Sequence, residues 1–179
     1  MNQKMNVEIA EILGAFIGDG WIEKRKKGVY IMGNKIEDRE YYDKFLAPSF
    51  SKVFLGVIPK EFKSWKVYGI ACYKKEVIEK FVSMGFNPGR KATTVIIPPQ
   101  IIETKDKEIF KAILRGIFDA DGCFWCERSR APTSSIWKRT YHSHPEFQIG
   151  SCSNKLLEQI HSLLKEFDIT SKFVLKNKA

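Results

Sequence analysis

Two stretches of the chain share one pattern: an apolar run that ends in a small residue, an aspartate and a glycine. The first stretch covers residues 12–20 (ILGAFIGDG), the second covers residues 114–122 (LRGIFDADG), and matched positions lie 102 residues apart. Repetition at one fixed offset indicates a duplicated structural element. We therefore expect the chain to fold as two related halves.

The small residues of each copy are four positions apart, and residues with this spacing lie on one face of a helix. They are Gly14 and Gly18 in the first copy and Gly116 and Ala120 in the second. Because small side chains let two helix backbones approach closely, we expect the two copies to cross at this strip. Asp19 and Asp121 would then lie side by side, and Gly20 and Gly122 would end the helices in the left-handed conformation.

The two aspartates need a compensating charge. A carboxylate in the last turn of a helix meets the negative end of the helix dipole, at a cost of roughly 0.3–1 kcal/mol, and two neighbouring carboxylates also repel. A hard divalent cation such as Mg²⁺ would offset both effects and suits phosphate chemistry. An Asp-Gly pair after one apolar helix is also a common turn signal, but its duplication in register favours a metal-binding and catalytic role.

The two nonapeptides resemble the paired LAGLIDADG motifs of homing endonucleases, in the form that carries two motifs in one polypeptide. The second copy matches closely, with Arg115 as its main departure. In the first copy Ile17 stands where the motif has its earlier aspartate, which is present in the second copy as Asp119. The aspartate that ligates metal in the family is present in both copies, as Asp19 and Asp121.

This resemblance implies an α+β fold made of two pseudo-symmetric αββαββα lobes. Their antiparallel sheets would form a DNA-binding saddle, and the motif helices would pack at the lobe interface. The predicted division is a first lobe over residues 1–94, a linker over residues 95–103 that contains two consecutive prolines, and a second lobe over residues 104–179. Tandem prolines do not sit inside a helix or a central strand.

Local signals predict the elements of the first lobe. A helix is expected from Asn6, a good N-cap, to Asp19, followed by a hairpin over residues 21–32. The next elements are a helix over residues 38–54, a second hairpin over residues 58–73 and a helix over residues 75–84. In the first of these two later helices, four residues are expected to face the core: Tyr41, Tyr42, Phe45 and Leu46.

The second lobe is predicted to be shorter. Thr104 can cap its motif helix, strands are expected over residues 124–128 and 141–150, a helix over residues 154–167 and a third strand over residues 171–175. Compared with the first repeat, a fourth strand, the last helix and a counterpart of Lys91 are missing. Either the copy is degenerate or the sequence is cut short, and Lys176 and Lys178 are weak substitutes for the lysine.

The resemblance also implies further active-site residues. Lys91 best matches the lysine that organises water and offsets charge near the scissile phosphate, with Arg90 as the alternative. Asn34 matches a polar residue at a strand end that positions the attacking water network. The backbone carbonyls of Gly18 and Ala120 are expected to help the aspartates bind metal.

Candidate DNA contacts lie on both hairpins. If the first strand alternates regularly, Trp21, Glu23, Arg25 and Lys27 share the face that enters the major groove, where a two-stranded ribbon fits. The other candidates are Lys35, Arg90, Trp125, Glu127, Gln148 and the loop residues Arg130, Trp137, Lys138 and Arg139. That basic loop would reach the DNA backbone, or it is an ordinary surface loop.

Charge and cysteine content agree with this reading. A net charge of +9 and a pI near 9.3 favour a polyanionic partner. The four cysteines suggest a reducing compartment more than a disulfide framework. Cys123 and Cys126 have zinc-like spacing, but in a strand their odd spacing points the thiols to opposite faces.

The function implied by the resemblance is a site-specific endonuclease that cuts both strands of duplex DNA with Mg²⁺ or Mn²⁺, while Ca²⁺ binds without supporting cleavage. We expect a monomeric, intron-encoded protein in the cytoplasm or an organellar matrix, with intron RNA as a possible second partner. The apolar runs are too short for a membrane span, and no signal peptide is expected. The alternatives are an RNA maturase, a non-cleaving DNA-binding protein of the same fold, or a small basic RNA-binding domain.

Overall fold

The first half of the chain has the predicted α-β-β-α-β-β-α order. A computed structural model describes residues 5–54, 56–130 and 141–174. The elements of the first half are α1 (Val7–Asp19), β1 (Gly20–Ile22), β2 (Val29–Asn34), α2 (Arg39–Tyr41), a π-helical turn (Tyr42–Leu46), α3 (Ala47–Val53), β3 (Lys60–Phe62), β4 (Val67–Cys72) and α4 (Lys75–Ser83). Asn6 caps α1 as predicted, since its side chain accepts a hydrogen bond from the Ile9 N–H at 2.9 Å.

The four strands form one antiparallel sheet in the order β1-β2-β4-β3. Trp21 pairs with Tyr30, and Tyr30 pairs with Ala71, so these residues share one face. The next set along the strands, Ile22, Val29 and Cys72, lies on the opposite face and is buried in the core. The sheet therefore presents one apolar face to the core, and Trp21, Tyr30 and Ala71 lie on the opposite face.

The helix predicted over residues 38–54 forms, but its middle is a π-helical turn. Tyr42 and Leu46 are buried as expected, whereas Phe45 is 60% exposed. The wider turn keeps Tyr42 and Leu46 on the inner face and rotates Phe45 away from it. The prediction that Phe45 faces the core is therefore wrong.

Glycine ends both motif helices, but for a different reason from the one expected. Gly20 has φ −95° and ψ 159°, and Gly122 has φ −81° and ψ 155°, so both are extended and not left-handed. A methyl group added at Gly20 would collide with the ring of Phe16, and one at Gly122 would collide with Phe118. Each glycine makes room for an aromatic ring of its own helix.

The segment between the repeats is packed against both of them. Val95 and Ile97 are buried, and the short helix α5 (Pro99–Ile102) begins at the second proline. The backbone of Ile97 makes two hydrogen bonds with the Gln159 side chain, at 2.9 and 3.1 Å. The Ser153 hydroxyl donates to the Val95 carbonyl at 2.7 Å.

The second half contains α6 (Lys107–Asp121), β5 (Gly122–Arg130), β6 (Tyr141–Ile149) and α7 (Asn154–Lys165). Asp106 caps α6 by accepting from the Glu108 N–H at 2.9 Å. Thr104 instead donates its hydroxyl to the Ile101 carbonyl, so the predicted cap was placed two residues too early. Residues 171–174 are not a strand, because they have no ladder partner in the described part of the chain.

The two halves differ in how their sheets are covered. Phe124 pairs with Phe147 as Ile22 pairs with Val29. Phe124 is 57% exposed and Phe147 is 73% exposed, whereas Ile22 and Val29 are each 1% exposed.

Among the described residues no helix combines the length and apolarity needed to cross a bilayer.

Candidate active site

The two motif helices cross at their small residues, as predicted. A methyl group added at Gly14 would overlap the Ile113 carbonyl and lie 2.9 Å from the Gly116 Cα. One added at Gly116 would overlap the Glu11 carbonyl and lie 2.8 Å from the Ala15 nitrogen. The backbones of α1 and α6 are therefore in direct contact, and only glycine fits at either position.

Arg115, which departs from the LAGLIDADG motif, links the same two helices. Its guanidinium donates two hydrogen bonds to the Glu11 carboxylate, at 2.8 and 2.5 Å. The arginine side chain is 53% exposed and the glutamate 23%. The pair lies on the rim of the crossing, where it fixes one helix against the other.

Asp19 and Asp121 meet at the ends of the crossing helices. A methyl group built at Gly18 would lie 3.3 Å from the Oδ2 atom of Asp121, so this carboxylate adjoins the backbone that carries Asp19. Burial, followed by repulsion from Asp121, raises the pKa of Asp19 to about 7. Burial also raises the pKa of Asp121. The folded protein therefore places two carboxylates where ionisation is disfavoured.

Lys91 is the cation that reaches this pair. Its Nζ atom donates to the Gly18 carbonyl at 2.8 Å and also to the Ile17 carbonyl. Both carbonyls belong to the last turn of α1, where carbonyl oxygens have no N–H donor within the helix. Burial lowers the pKa of Lys91 to about 8, although the charges of Asp121 and Asp19 act against this shift.

Two residues to which the sequence analysis gave no role in the site interact electrostatically with Asp19. Asp38 contributes to the raised pKa of Asp19, and its Oδ2 atom accepts from the Asn34 N–H at 2.6 Å. Tyr42 is 1% exposed, and burial with the nearby Asp19 and Asp38 charges raises its pKa. The sequence predicted Asp38 only as the start of a helix and Tyr42 only as a core residue of that helix.

Three other predicted residues lie on the surface near this region. The side chain of Asn34 is engaged in its own turn, where it accepts from the Ile36 N–H at 2.9 Å. Lys35 pairs with Glu61 at 3.4 Å. Arg90 is exposed beside Lys91, whereas the Lys91 ammonium donates hydrogen bonds to two carbonyls at the end of α1. The geometry thus favours Lys91 over Arg90 as the active-site cation.

The first hairpin is shorter than the alternation predicted. Strand β1 ends at Ile22, so Trp21 lies in the strand, whereas Glu23, Arg25 and Lys27 belong to the turn that follows. The Lys27 N–H donates to the Glu23 carboxylate at 3.3 Å. These three side chains therefore do not share a strand face.

The second hairpin supports the predicted grouping of three residues. Cys123 pairs with Gln148, Trp125 with Glu146 and Glu127 with His144, so Trp125, Glu127 and Gln148 occupy positions on one face. Trp125 is 42% exposed. Arg130 is the last residue of β5, while the predicted loop residues Trp137, Lys138 and Arg139 lie outside the described residues.

The donor set suits a hard divalent cation better than zinc. Two carboxylates meet at the ends of α1 and α6, and carboxylate and carbonyl oxygens are the ligands such a cation prefers. In the described ranges no three His, Cys, Asp or Glu side chains are close enough to hold a metal on their own. Cys123 and Cys126 are exposed free thiols three positions apart on β5, so they occupy opposite faces.

Comparison with known proteins gives three findings. Residues 108–179 match the family described as "LAGLIDADG-like domain". The chain is 29% identical over 117 residues to the replication factor C small subunit of Methanocaldococcus jannaschii, a match that covers 65% of this chain but only 6% of that protein. A solved structure of mesophilic variants of the homing endonuclease I-DmoI aligns with a TM-score of 0.56 and 14% identity, over 96% of this chain and 82% of that one.

The crossing of two motif helices, each ending in an aspartate at the base of a hairpin, defines a protein of the homing endonuclease fold. The family match places a LAGLIDADG-like domain in the second repeat. The predicted resemblance to the LAGLIDADG motif is thereby confirmed by sequence in the second repeat, and the predicted fold is confirmed along the chain.

Proposed function

We propose that the protein is a site-specific endonuclease that hydrolyses both strands of duplex DNA with a divalent cation. The observation that carries this proposal is the pairing of Asp19 and Asp121 at the ends of the crossing helices, with Lys91 against the same helix end. Each repeat supplies one aspartate, so each repeat would cut one DNA strand. A single chain would then make a double-strand break.

Asp19 and Asp121 would hold the cation, with the backbone carbonyls of Gly18 and Ala120 as further ligands. Mg²⁺ is the expected ion and Mn²⁺ a substitute, while Ca²⁺ would bind without supporting cleavage. A bound cation supplies a more acidic water and stabilises the charge that develops on the phosphate. It would also favour the ionised form of Asp19, whose pKa is raised to about 7 by burial and then by repulsion from Asp121.

Lys91 would act on the proton and charge balance of the reaction. With a pKa of about 8, the amine exchanges a proton easily near neutral pH. As a cation it offsets charge near the phosphate, and as a neutral amine it can accept a proton relayed from the attacking water. Asp38 and Tyr42 would act on the charge of Asp19 from the start of the second helix.

Duplex DNA is the proposed partner because the chain carries a net charge of +9 and exposed cationic turns beside the outer face of the first sheet. By family resemblance the target is long and asymmetric and is cut across the minor groove to leave short 3′ overhangs. We further propose that the protein is encoded in an intron, that it acts as a monomer, and that it is located in the cytoplasm or an organellar matrix.

The first experiment is cleavage of a randomised duplex library in Mg²⁺ by the parent protein, beside Asp19→Asn and Asp121→Asn. Cutting at one long site by the parent, with loss of double-strand cutting in both variants, would support the proposal and identify the target. If both variants still cut, the assignment of the aspartates would be wrong.

A second candidate is an RNA maturase or a non-cleaving DNA- or RNA-binding protein of the same fold. It is favoured by one observation: Lys91 already occupies two carbonyl oxygens at the end of α1, one of them the proposed ligand Gly18. Tight binding in EDTA by a parent protein that cuts no library member in Mg²⁺ would favour this candidate.

A further inference from the structure

Four aromatic rings surround a cleft on the outer face of the first sheet. Trp21 stacks on Tyr30 with ring centroids 4.9 Å apart and planes 10° apart. The Trp65 ring packs against both, with centroid distances of 5.8 Å to Trp21 and 5.9 Å to Tyr30. Tyr73 packs edge-on against Tyr30, with ring centroids 5.9 Å apart. We call this site the aromatic cleft, and its volume is about 950 Å³.

These rings are not part of the hydrophobic core. Trp21 and Tyr30 lie on the sheet face opposite the core residues Ile22 and Val29. Trp65 is 53% exposed and Tyr73 is 56% exposed. Large rings held in contact with solvent beside a cleft offer flat apolar surfaces to a ligand, whereas readout of duplex base edges uses mainly hydrogen-bonding side chains.

The rim of the cleft is cationic. Lys26, Lys27 and Lys75 line it, together with Glu23 and Glu79. Glu79 pairs with Lys75 at 3.7 Å, so these two charges offset each other, and Lys26 and Lys27 remain beside Glu23. The adjoining turns carry four more lysines: Lys24, Lys63, Lys66 and Lys74. Burial and a hydrogen bond with Tyr73 raise the pKa of Tyr30 to about 12, so its phenol adds no negative charge near neutral pH.

Aromatic faces beneath a cationic rim are the combination that binds an unstacked base and its phosphate. We propose that the aromatic cleft holds an unstacked nucleobase of a nucleic-acid strand, which stacks on Trp65 and Tyr73 while the lysines of the rim contact the flanking phosphates. The base would come from a single-stranded segment or be extruded from a duplex. This inference rests on the proposed function only in taking nucleic acid as the partner, and it does not require cleavage.

The test compares short oligothymidylate with an abasic strand of the same length, by quenching of tryptophan fluorescence. The parent protein is expected to bind oligothymidylate at least tenfold more tightly. Stacking contributes roughly 1–3 kcal/mol per base, so Trp65→Ala and Tyr73→Ala should each weaken binding about five- to 150-fold. Trp65→Phe and Tyr73→Phe keep a ring and should retain most of the affinity.

Phe45→Ala is the matched control, because Phe45 is an exposed aromatic residue outside the cleft. A second arm uses a duplex with a single bulged 2-aminopurine, whose fluorescence falls when it stacks. Quenching of the bulged duplex alone would identify an extruded base as the ligand, and binding of oligothymidylate alone would identify single strands. Either result supports the proposal that the aromatic cleft binds an unstacked base.

Equal affinity for oligothymidylate and the abasic strand, without quenching of the bulged base, would overturn the inference and leave the rings a structural cluster. Retained affinity in both alanine variants would overturn it as well. These outcomes are independent of the nuclease assay, since base binding can persist in a parent protein that does not cut, and cutting can persist in a protein that does not bind an unstacked base.

Discussion

Lys91 donates a hydrogen bond from Nζ to the carbonyl oxygen of Gly18, at 2.8 Å, across 73 positions of the chain. This contact brings the segment after the first repeat back to the end of the first motif helix. Lys91 thereby satisfies a carbonyl that the helix leaves unpaired and adds a positive charge beside two carboxylates. The same side chain therefore serves the stability of the helix end and the electrostatics of the proposed active site.

Replacement of Lys91 by methionine should remove most of the cleavage activity. The variant keeps the length of the side chain but loses the charge and the exchangeable proton, and the loss of one electrostatic group of this kind lowers kcat by roughly 100- to 1,000-fold. The measurement is single-turnover cleavage of the recovered target. Arg90→Met is the matched control, since Arg90 is exposed, and it should weaken DNA binding while leaving the cleavage rate at saturation unchanged. Equal loss of rate in both variants would contradict the role given to Lys91.

Asp19→Asn should stabilise the metal-free protein while it abolishes cleavage. The pKa of Asp19 is raised to about 7, so between pH 4 and 7 the folded state holds a proton that the unfolded state has lost, and stability falls as pH rises through that window. We expect the variant to raise the free energy of unfolding by roughly 1–3 kcal/mol at pH 8 and by much less at pH 5. Urea denaturation in EDTA at the two pH values measures this difference. A gain of equal size at both would show that carboxylate ionisation is not its cause.

Divalent cations should stabilise the parent protein in a manner that depends on both aspartates. Because a cation binds the ionised carboxylates, Ca²⁺ is expected to raise the melting temperature more at pH 8 than at pH 5. The double variant Asp19→Asn with Asp121→Asn should show no such rise. A Ca²⁺-dependent shift that survives in the double variant would place the cation elsewhere.

The glycine at the centre of the crossing should tolerate no side chain. A methyl group at Gly116 would overlap the Glu11 carbonyl and press on the backbone of Ala15, and overpacking of this kind costs roughly 1–3 kcal/mol, occasionally more. Gly116→Ala is therefore expected to lower the urea midpoint markedly. Gly150→Ala is the control, because an added methyl group there meets nothing within 4 Å. If the two variants were equally stable, the helices would not cross where the structure places them.

Much of the fold was readable because its signals are local or repeated. Asn6 predicted the start of α1, and the fixed offset between the motifs predicted that their helices pair. The elements that were misplaced depend on longer-range packing: the exposure of Phe45 follows from a π-helical turn, and the extended Gly20 is set by the ring of Phe16. No periodicity in the sequence encodes either effect.

The residues of the candidate site also divide into those that a sequence pattern predicts and those that only the tertiary fold brings together. Asp19 and Asp121 were predicted from the duplicated motif, and Lys91 from the resemblance of the segment after the first repeat. The interaction of Asp38 and Tyr42 with the charge of Asp19 was missed because the two residues lie far from Asp19 in the sequence, and only the tertiary fold brings these charges within range. The aromatic cleft was missed for a related reason, since Trp65 joins Trp21 only when the two hairpins lie side by side.

The ion pair between Glu11 and Arg115 accounts for the departure of position 115 from the LAGLIDADG motif and supplies a last prediction. Because Arg115 binds both carboxylate oxygens but is half exposed, the coupling energy should be about 0.5–1 kcal/mol. A double-mutant cycle with Glu11→Gln and Arg115→Leu measures this energy from urea denaturation. It should shrink in 1 M NaCl, where exposed charges are screened. A coupling near zero at low salt would mean that backbone contact at the glycines alone fixes the crossing of the two helices, and that Arg115 adds no specificity to it.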